Sequence, residues 1–140
     1  MKAFGVALTA AAFVASASAA PLGYQTFKTP SGKIACAYAS VAGHANASIL
    51  RCDIRTGLKP RVKRPPGCHY DFGSTLELRP TGPAKIGCVS DAIGRTTTVL
   101  AYGKTWHSGP YTCSSARTGL TCKNKSGRGF FLSRQRWRRV

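Results

Sequence analysis

Six cysteines, no two of which form a Cys-x-x-Cys pair, constrain this chain more than any other feature of its sequence. Zinc sites commonly use such close pairs, so we assign the chain no metal ligand and no cofactor. An even number of cysteines in a chain that leaves the cytoplasm predicts three disulfides. Six cysteines allow 15 pairings, none of which the sequence alone selects, and we favour the consecutive one. For its last pair, residues 115–119 between the two cysteines have the composition of a hairpin loop. The predicted bridges are Cys36–Cys52, Cys68–Cys88 and Cys113–Cys122.

The N-terminal residues have the pattern of a secretory signal peptide. Lys2 precedes an apolar run, and Ala17-Ser18-Ala19 places small residues at the positions that signal peptidase reads. The run is shorter than the roughly 20 apolar residues that span a membrane. We therefore predict a signal peptide at residues 1–19, a single domain at residues 20–140 without a transmembrane segment, and a secreted or periplasmic location.

Apolar residues in the predicted domain alternate with a period of two, as in residues 34–38 and 50–54, and the cysteines fall on the apolar face of each alternating run. The β-branched run at residues 96–100 also predicts a strand. Turns rich in glycine and proline separate these runs at short intervals. The pattern predicts an all-β fold, a small antiparallel sandwich or barrel stapled by disulfides.

The charge of the chain is strongly unbalanced, because 21 lysines and arginines face four acidic residues, and no acid follows Asp91. Such a positive field attracts polyanions, although a high charge also keeps an exported protein soluble. Trp137, which lies between Arg136 and Arg138, either stacks on a ligand or closes the core of a terminal strand. The candidate binding residues are Arg51, Arg55, Lys59, Arg61, Lys63 and Arg64 in one cluster, and Lys123, Lys125, Arg128, Arg134, Arg136, Trp137, Arg138 and Arg139 in another.

Catalytic patterns in the sequence are weak. The three histidines, His44, His69 and His107, together with Glu77 provide the residue types of a small secreted nuclease, but their spacing fixes no geometry. The Gly-x-Ser-x-Gly motif of many serine hydrolases does not occur. We assign no catalytic residue and favour a protein that is not an enzyme.

Three aspartates follow cysteines closely, namely Asp53, Asp71 and Asp91. Carboxylates that converge in space would suit calcium, which prefers oxygen ligands. We favour the alternative that these aspartates cap turns or neutralise a neighbouring arginine.

A series of short motifs runs through nearly the whole predicted domain, from Phe27 to Arg134. The longest are residues 27–36, 99–103 and 119–124, and the others are Arg51-Cys52-Asp53-Ile54, Asp71-Phe72-Gly73, Cys88-Val89-Ser90-Asp91, Cys113-Ser114-Ser115 and Gly127-Arg128-Gly129-Phe130. In this order the motifs resemble an uncharacterised family of small secreted, six-cysteine bacterial proteins that is classed as a domain of unknown function. The resemblance implies export, disulfides and one domain, and it implies no activity. Lys33 and Arg128 depart from the pattern of that family, which often has asparagine and histidine there.

These observations favour one function and leave two alternatives. The favoured hypothesis is an exported, non-enzymatic module that binds an anionic envelope polymer or lipid; nucleic acid is a less favoured ligand. The alternatives are a small secreted basic nuclease and a protein-binding inhibitor that presents the proline-rich loop at residues 60–66. The sequence leaves the oligomeric state open.

Overall fold

The computed structural model describes residues 10–13, 23–41 and 44–140. Within these residues the alternation of apolar and polar side chains forms ten strands and no helix. The strands are β1 (Tyr24–Lys28), β2 (Ile34–Val41), β3 (His44–Ile54), β4 (Asp71–Leu78), β5 (Lys85–Val89), β6 (Thr105–Ser108), β7 (Tyr111–Ala116), β8 (Gly119–Lys123), β9 (Gly129–Leu132) and β10 (Trp137–Arg139).

The strands β1 to β5 form one antiparallel sheet and β6 to β10 form a second. Within each sheet, every strand pairs with the strands that precede and follow it in the sequence. The inward residues of both sheets make one core, which includes Phe27, Leu50 and Phe130. Across this core the Tyr111 hydroxyl donates a hydrogen bond to the Ser48 carbonyl oxygen at 2.9 Å. The two packed sheets confirm the predicted all-β fold as a sandwich.

The three disulfides join consecutive cysteines, which confirms the predicted pairing. Cys36 pairs directly with Cys52 across β2 and β3, with 4.1 Å between the Cα atoms, and Cys113 pairs with Cys122 across β7 and β8 in the same way. All four of these residues are fully buried. Three disulfides indicate an oxidising compartment.

The third bridge corrects the prediction that every cysteine lies on a buried face, because Cys88 is exposed while Cys68 is 6% exposed. Cys88 lies on β5, which is the last strand of its sheet. The register between β4 and β5 is also irregular from Phe72 to Leu76. The alternation that buries the other bridges therefore does not extend to this edge.

The difference in exposure predicts selective reduction of the native protein. We expect a small thiol at low concentration to open Cys68–Cys88 first, because thiolate attack requires access to a sulfur atom. Alkylation of the released thiols followed by peptide mass spectrometry measures the order. Equal labelling of Cys113 and Cys88 at the earliest times would contradict the prediction.

The chain between the sheets, which we call the crossover segment (residues 90–100), corrects the prediction of a strand at residues 96–100. Its only ladder contact within the described residues is a parallel bridge between Val99 and Lys28. The segment leaves β5, contacts β3 through Arg51 and Asp53 on the outer face of the first sheet, and reaches β1. Apart from this bridge at Val99, the β-branched residues here therefore lie outside both sheets.

The predicted signal peptide lies outside the described residues, apart from residues 10–13. Its cleavage site stays a prediction. Within the ranges described, no helix has the length and apolar character needed to cross a membrane.

Candidate functional site

Four connections gather at one end of the sandwich, because antiparallel neighbours place alternate turns at the same end of a sheet. The backbone nitrogen of Arg55 donates to the Lys33 carbonyl oxygen at 3.0 Å, and that of Trp137 donates to the Lys59 carbonyl oxygen at 3.0 Å. These two bonds tie the β3–β4 loop to the β1–β2 turn and to β10. We call this the basic end, which comprises residues 29–33, 55–67, 117–118 and 133–136.

A pocket of about 110 Å³ opens at the basic end. Three cationic side chains from three different turns line it: Lys33, Arg117 and Arg134. Among the described residues that line it, none is an aspartate or a glutamate. The Arg117 guanidinium lies over the Tyr102 ring, 5.1 Å from its centroid. The pocket therefore concentrates positive charge, and the contact with Tyr102 favours one orientation of the Arg117 guanidinium.

Local turn chemistry sets the backbone positions from which the exposed side chains of Arg134 and Lys33 extend. Ser133 Oγ accepts hydrogen bonds from the backbone nitrogens of Gln135 and Arg136, and it donates to the Arg136 carbonyl oxygen. These bonds close the turn that carries Arg134. In the β1–β2 turn, Gly32 has a φ of +67°, a left-handed conformation that glycine adopts without cost. Its backbone nitrogen donates to the Thr29 carbonyl oxygen at 2.8 Å.

The β3–β4 loop carries most of the first basic cluster at this end. Leu58 is buried and Val62 packs against the core, while Arg61, Lys63 and Arg64 are exposed. The Leu58 backbone nitrogen donates to a β4 carbonyl oxygen at 2.7 Å, and the disulfide at Cys68 holds the far end of the loop. The loop thus has fixed apolar anchors and presents its charges to solvent.

Arg51, which the sequence grouped with this cluster, has a different role. Its guanidinium binds both carboxylate oxygens of Asp53 at 2.9 Å, and it also binds Asp91 Oδ1 at 2.9 Å and the Asp91 carbonyl oxygen at 2.6 Å. Burial by itself lowers the pKa of Arg51, and the hydrogen bonds with Asp53 and Asp91 outweigh burial, so the pKa is raised. Arg51 therefore fastens the crossover segment to β3.

The second predicted cluster does not form one surface. Arg134 and Arg136 lie at the basic end, next to the start of β10. Lys123, Lys125 and Arg128 lie around the β8–β9 turn at the opposite end, where Asn124 contacts the β4–β5 turn. The remaining predicted residues lie along β10: Trp137 packs against the core, Arg138 stacks on Phe131 at 5.5 Å, and Arg139 donates from Nε to the Ala84 carbonyl oxygen at 2.8 Å while stacking on Trp137 at 5.4 Å.

The residue types of a nuclease are not brought together. His107 points outward from the second sheet, where its Nδ1 lies 3.0 Å from Thr112 Oγ1, and Glu77 lies on the outer face of the first sheet. His44 begins β3 at the opposite end from the loop that carries His69. Among the described residues, no group of three or more histidines, cysteines, aspartates or glutamates is arranged to hold a metal ion.

Asp53, one of the three aspartates considered for calcium, has protein partners for its carboxylate. Besides Arg51, it accepts hydrogen bonds from Thr75 Oγ1 at 2.8 Å and from the Ile93 backbone nitrogen at 3.0 Å. Asp91 binds the same arginine. These two aspartates thus hold the crossover segment, as the arginine-pairing alternative predicts.

Sequence reasoning did not group Lys33, Arg117 and Tyr102 as a site. Each stands alone among polar turn residues, so no local charge run identified them. The order of the strands could have indicated part of this site, because alternate turns of an antiparallel meander lie at the same end of its sheet. The sequence does not show which end of one sheet lies beside which end of the other, so it could not bring Lys33 and Arg117 together.

The comparisons with known proteins indicate a family but no activity. A family model described as a family of unknown function, DUF6636, matches residues 6–139. Neither a curated protein nor a solved structure matches the sequence.

Proposed function

We propose a function from the geometry, because the chain belongs to the DUF6636 family, whose function is unknown. The proposed function is non-enzymatic binding of an anionic envelope polymer or lipid at the basic end. The observation that carries the proposal is the pocket lined by Lys33, Arg117 and Arg134, at the end of the sandwich where the β3–β4 loop presents further exposed cations.

The distribution of acids supports this assignment of the site. Asp53 and Asp91 are engaged with Arg51, and Glu77 lies on the same outer face of the first sheet. Asp71 is exposed at the start of β4. Among the described residues that line the pocket, none places a carboxylate beside its cations, and a cleft with charge of one sign focuses the field on an incoming anion.

The backbone connections bring the β3–β4 loop to the same end of the sandwich as the pocket. One bond joins Arg55 of the loop to Lys33, which lines the pocket, and another joins Lys59 of the loop to Trp137 at the start of β10. In the proposed complex an anionic chain that contacts the pocket also contacts the exposed Arg61, Lys63 and Arg64 of this loop. Multiple cation contacts of this kind give binding that weakens steeply with salt.

The test compares two variants with equal loss of charge. Arg61→Gln/Lys63→Gln/Arg64→Gln removes three cations from the basic end, and Lys123→Gln/Lys125→Gln/Arg128→Gln removes three from around the opposite turn. We expect the first variant to bind anionic vesicles or an acidic wall polymer at least tenfold more weakly, and the second to stay within about twofold. With DNA as a reference polyanion, the slope of log K against log salt should fall by about 0.9 for each lost phosphate contact.

Binding by equilibrium dialysis or vesicle sedimentation, repeated over a range of salt concentrations, measures both quantities. Equal losses in the two variants would show that the charge acts as a general coat. Absence of binding by the unaltered protein at low salt would refute the proposed function.

A further inference from the structure

Beyond a general attraction for polyanions, we infer that the pocket at the basic end is a subsite for a terminal phosphate monoester. The inference rests on the proposed function, because it names the group that the pocket itself takes. The exposed cations of the β3–β4 loop would then contact the polymer or lipid that carries the phosphate.

The size of the pocket restricts the group that it can enclose. Its volume of about 110 Å³ is space for several water molecules. Pockets that enclose whole small molecules are larger, roughly 300–1,000 Å³. Because the pocket is small and open to solvent, we expect it to take one compact charged group at the end of a ligand, with the rest of the ligand outside.

The charge of the pocket selects among compact anions. Lys33, Arg117 and Arg134 supply three positive charges, and the described lining supplies no carboxylate. A phosphate monoester carries a charge of about −1.5 to −2 at neutral pH, because its second pKa is about 6. A carboxylate or a phosphodiester carries a single negative charge, so it neutralises less of the charge of the three cations than a phosphate monoester does.

The orientation of Arg117 favours a group with several oxygens. Its guanidinium is exposed and lies over the Tyr102 ring, 5.1 Å from the ring centroid, which restricts the directions in which its donors point. A guanidinium can bind two oxygens of a phosphate in parallel. Arg134 reaches the pocket from a turn that Ser133 closes, and Lys33 reaches it from the first sheet. The three cations therefore come from different turns, which suits a compact group that carries oxygens on several sides.

Small probes separate this subsite from polymer binding. Methyl phosphate, dimethyl phosphate, acetate and sulfate are titrated into the full-length protein and followed by amide shifts in NMR spectra or by calorimetry. We expect methyl phosphate to bind at least tenfold more tightly than dimethyl phosphate or acetate. Its binding should weaken several-fold from pH 7.5 to pH 5, because the ligand gains a proton with a pKa of about 6. Sulfate keeps both charges over this range and should show no comparable change.

Variants locate the binding and guard against loss of the fold. Arg117→Gln should weaken methyl phosphate binding about tenfold. Arg117→Lys keeps the positive charge but loses the two parallel N–H donors of the guanidinium, so it should give an intermediate loss. Lys123→Gln/Lys125→Gln/Arg128→Gln should leave it unchanged. Equal affinities for methyl phosphate and dimethyl phosphate, or an unchanged affinity in Arg117→Gln, would overturn the subsite.

The source of the phosphate is a separate arm of the experiment. Phosphatidylcholine vesicles containing phosphatidic acid present a monoester, whereas the same vesicles with phosphatidylglycerol present a diester; glucose 6-phosphate presents the monoester on a sugar. Preference for phosphatidic acid indicates a lipid headgroup, and tight binding of glucose 6-phosphate in solution indicates a phosphorylated sugar.

The two proposals fail in different ways. The Arg61→Gln/Lys63→Gln/Arg64→Gln variant should lose vesicle or polymer binding and keep methyl phosphate binding. If the unaltered protein binds vesicles or polymer with steep salt dependence but does not prefer methyl phosphate, the subsite is wrong and the proposed function stands. If it binds neither vesicles nor polymer at low salt, the proposed function is wrong.

Discussion

Gly129→Ala is expected to destabilise the protein by about 3 kcal/mol or more, because a Cβ at this position would overlap the Cys122 carbonyl group of β8. Gly129 cannot move away from β8 at low cost. Its backbone nitrogen and carbonyl oxygen both form hydrogen bonds with Val140, each at 3.0 Å. Relief of the overlap would therefore break either the β8–β9 pairing or the attachment of the C-terminal residues.

Urea unfolding with the disulfides intact measures this change, and Gly94→Ala is the matched control. A Cβ at Gly94 would have no neighbouring atom within 4 Å, and the residue does not have a positive φ. Its replacement should alter the free energy of unfolding by less than about 0.5 kcal/mol. Similar values for the two variants would show that β8 and β9 accommodate a methyl group by a shift that the packing does not suggest.

Asn124→Ala is expected to cost about 3 kcal/mol of stability, because one buried amide connects two turns at the end opposite the basic end. Its Nδ2 donates to the Arg79 and Gly82 carbonyl oxygens at 3.0 and 2.9 Å. Its Oδ1 accepts from the Ser126 and Arg128 backbone nitrogens, each at 3.1 Å. Alanine leaves these groups without their partner.

Two further variants separate the halves of this network. Asn124→Asp keeps the acceptor oxygens but places a carboxylate against two carbonyl oxygens, so it should be at least as destabilising as alanine. Ser126→Ala removes only a hydroxyl bond to Oδ1 on an exposed residue and should cost less than about 1 kcal/mol. A loss below 1 kcal/mol in Asn124→Ala, measured by urea unfolding, would contradict the role assigned to this amide.

The fold was predictable where the pattern was local. Alternation at residues 34–38 and 50–54 identified paired strands, and the spacing of Cys113 and Cys122 identified a hairpin that carries its own bridge. The β-branched run at residues 96–100 misled because strand propensity describes fit to a pleated sheet, and this segment lies outside both sheets apart from one bridge. Tertiary position, which the sequence does not display, decided the outcome.

The candidate site was predictable only in part. The cations of the β3–β4 loop were visible as a charge cluster, but Arg51 in the same cluster binds Asp91, 40 residues later, and separation in sequence hides such a pair. Lys33 and Arg117 belong to different sheets, so their meeting depends on how the sheets are aligned in the sandwich. Charge composition thus led to the hypothesis of an anionic ligand, which stays a prediction, and packing determined which cations form the pocket.

Each of the three disulfides joins two cysteines that belong to the same half of the chain. Cys36–Cys52 and Cys68–Cys88 close loops within residues 36–88, and Cys113–Cys122 closes a loop within the second sheet. No bridge crosses from one sheet to the other, so residues 90–104 are the only covalent connection between them. A single cut there would yield two fragments that each keep their own crosslinks and are held together by the shared core and by hydrogen bonds between the sheets, such as those of Asn124 with Arg79 and Gly82. The pocket, which draws Lys33 from one fragment and Arg117 from the other, would report on their reassembly.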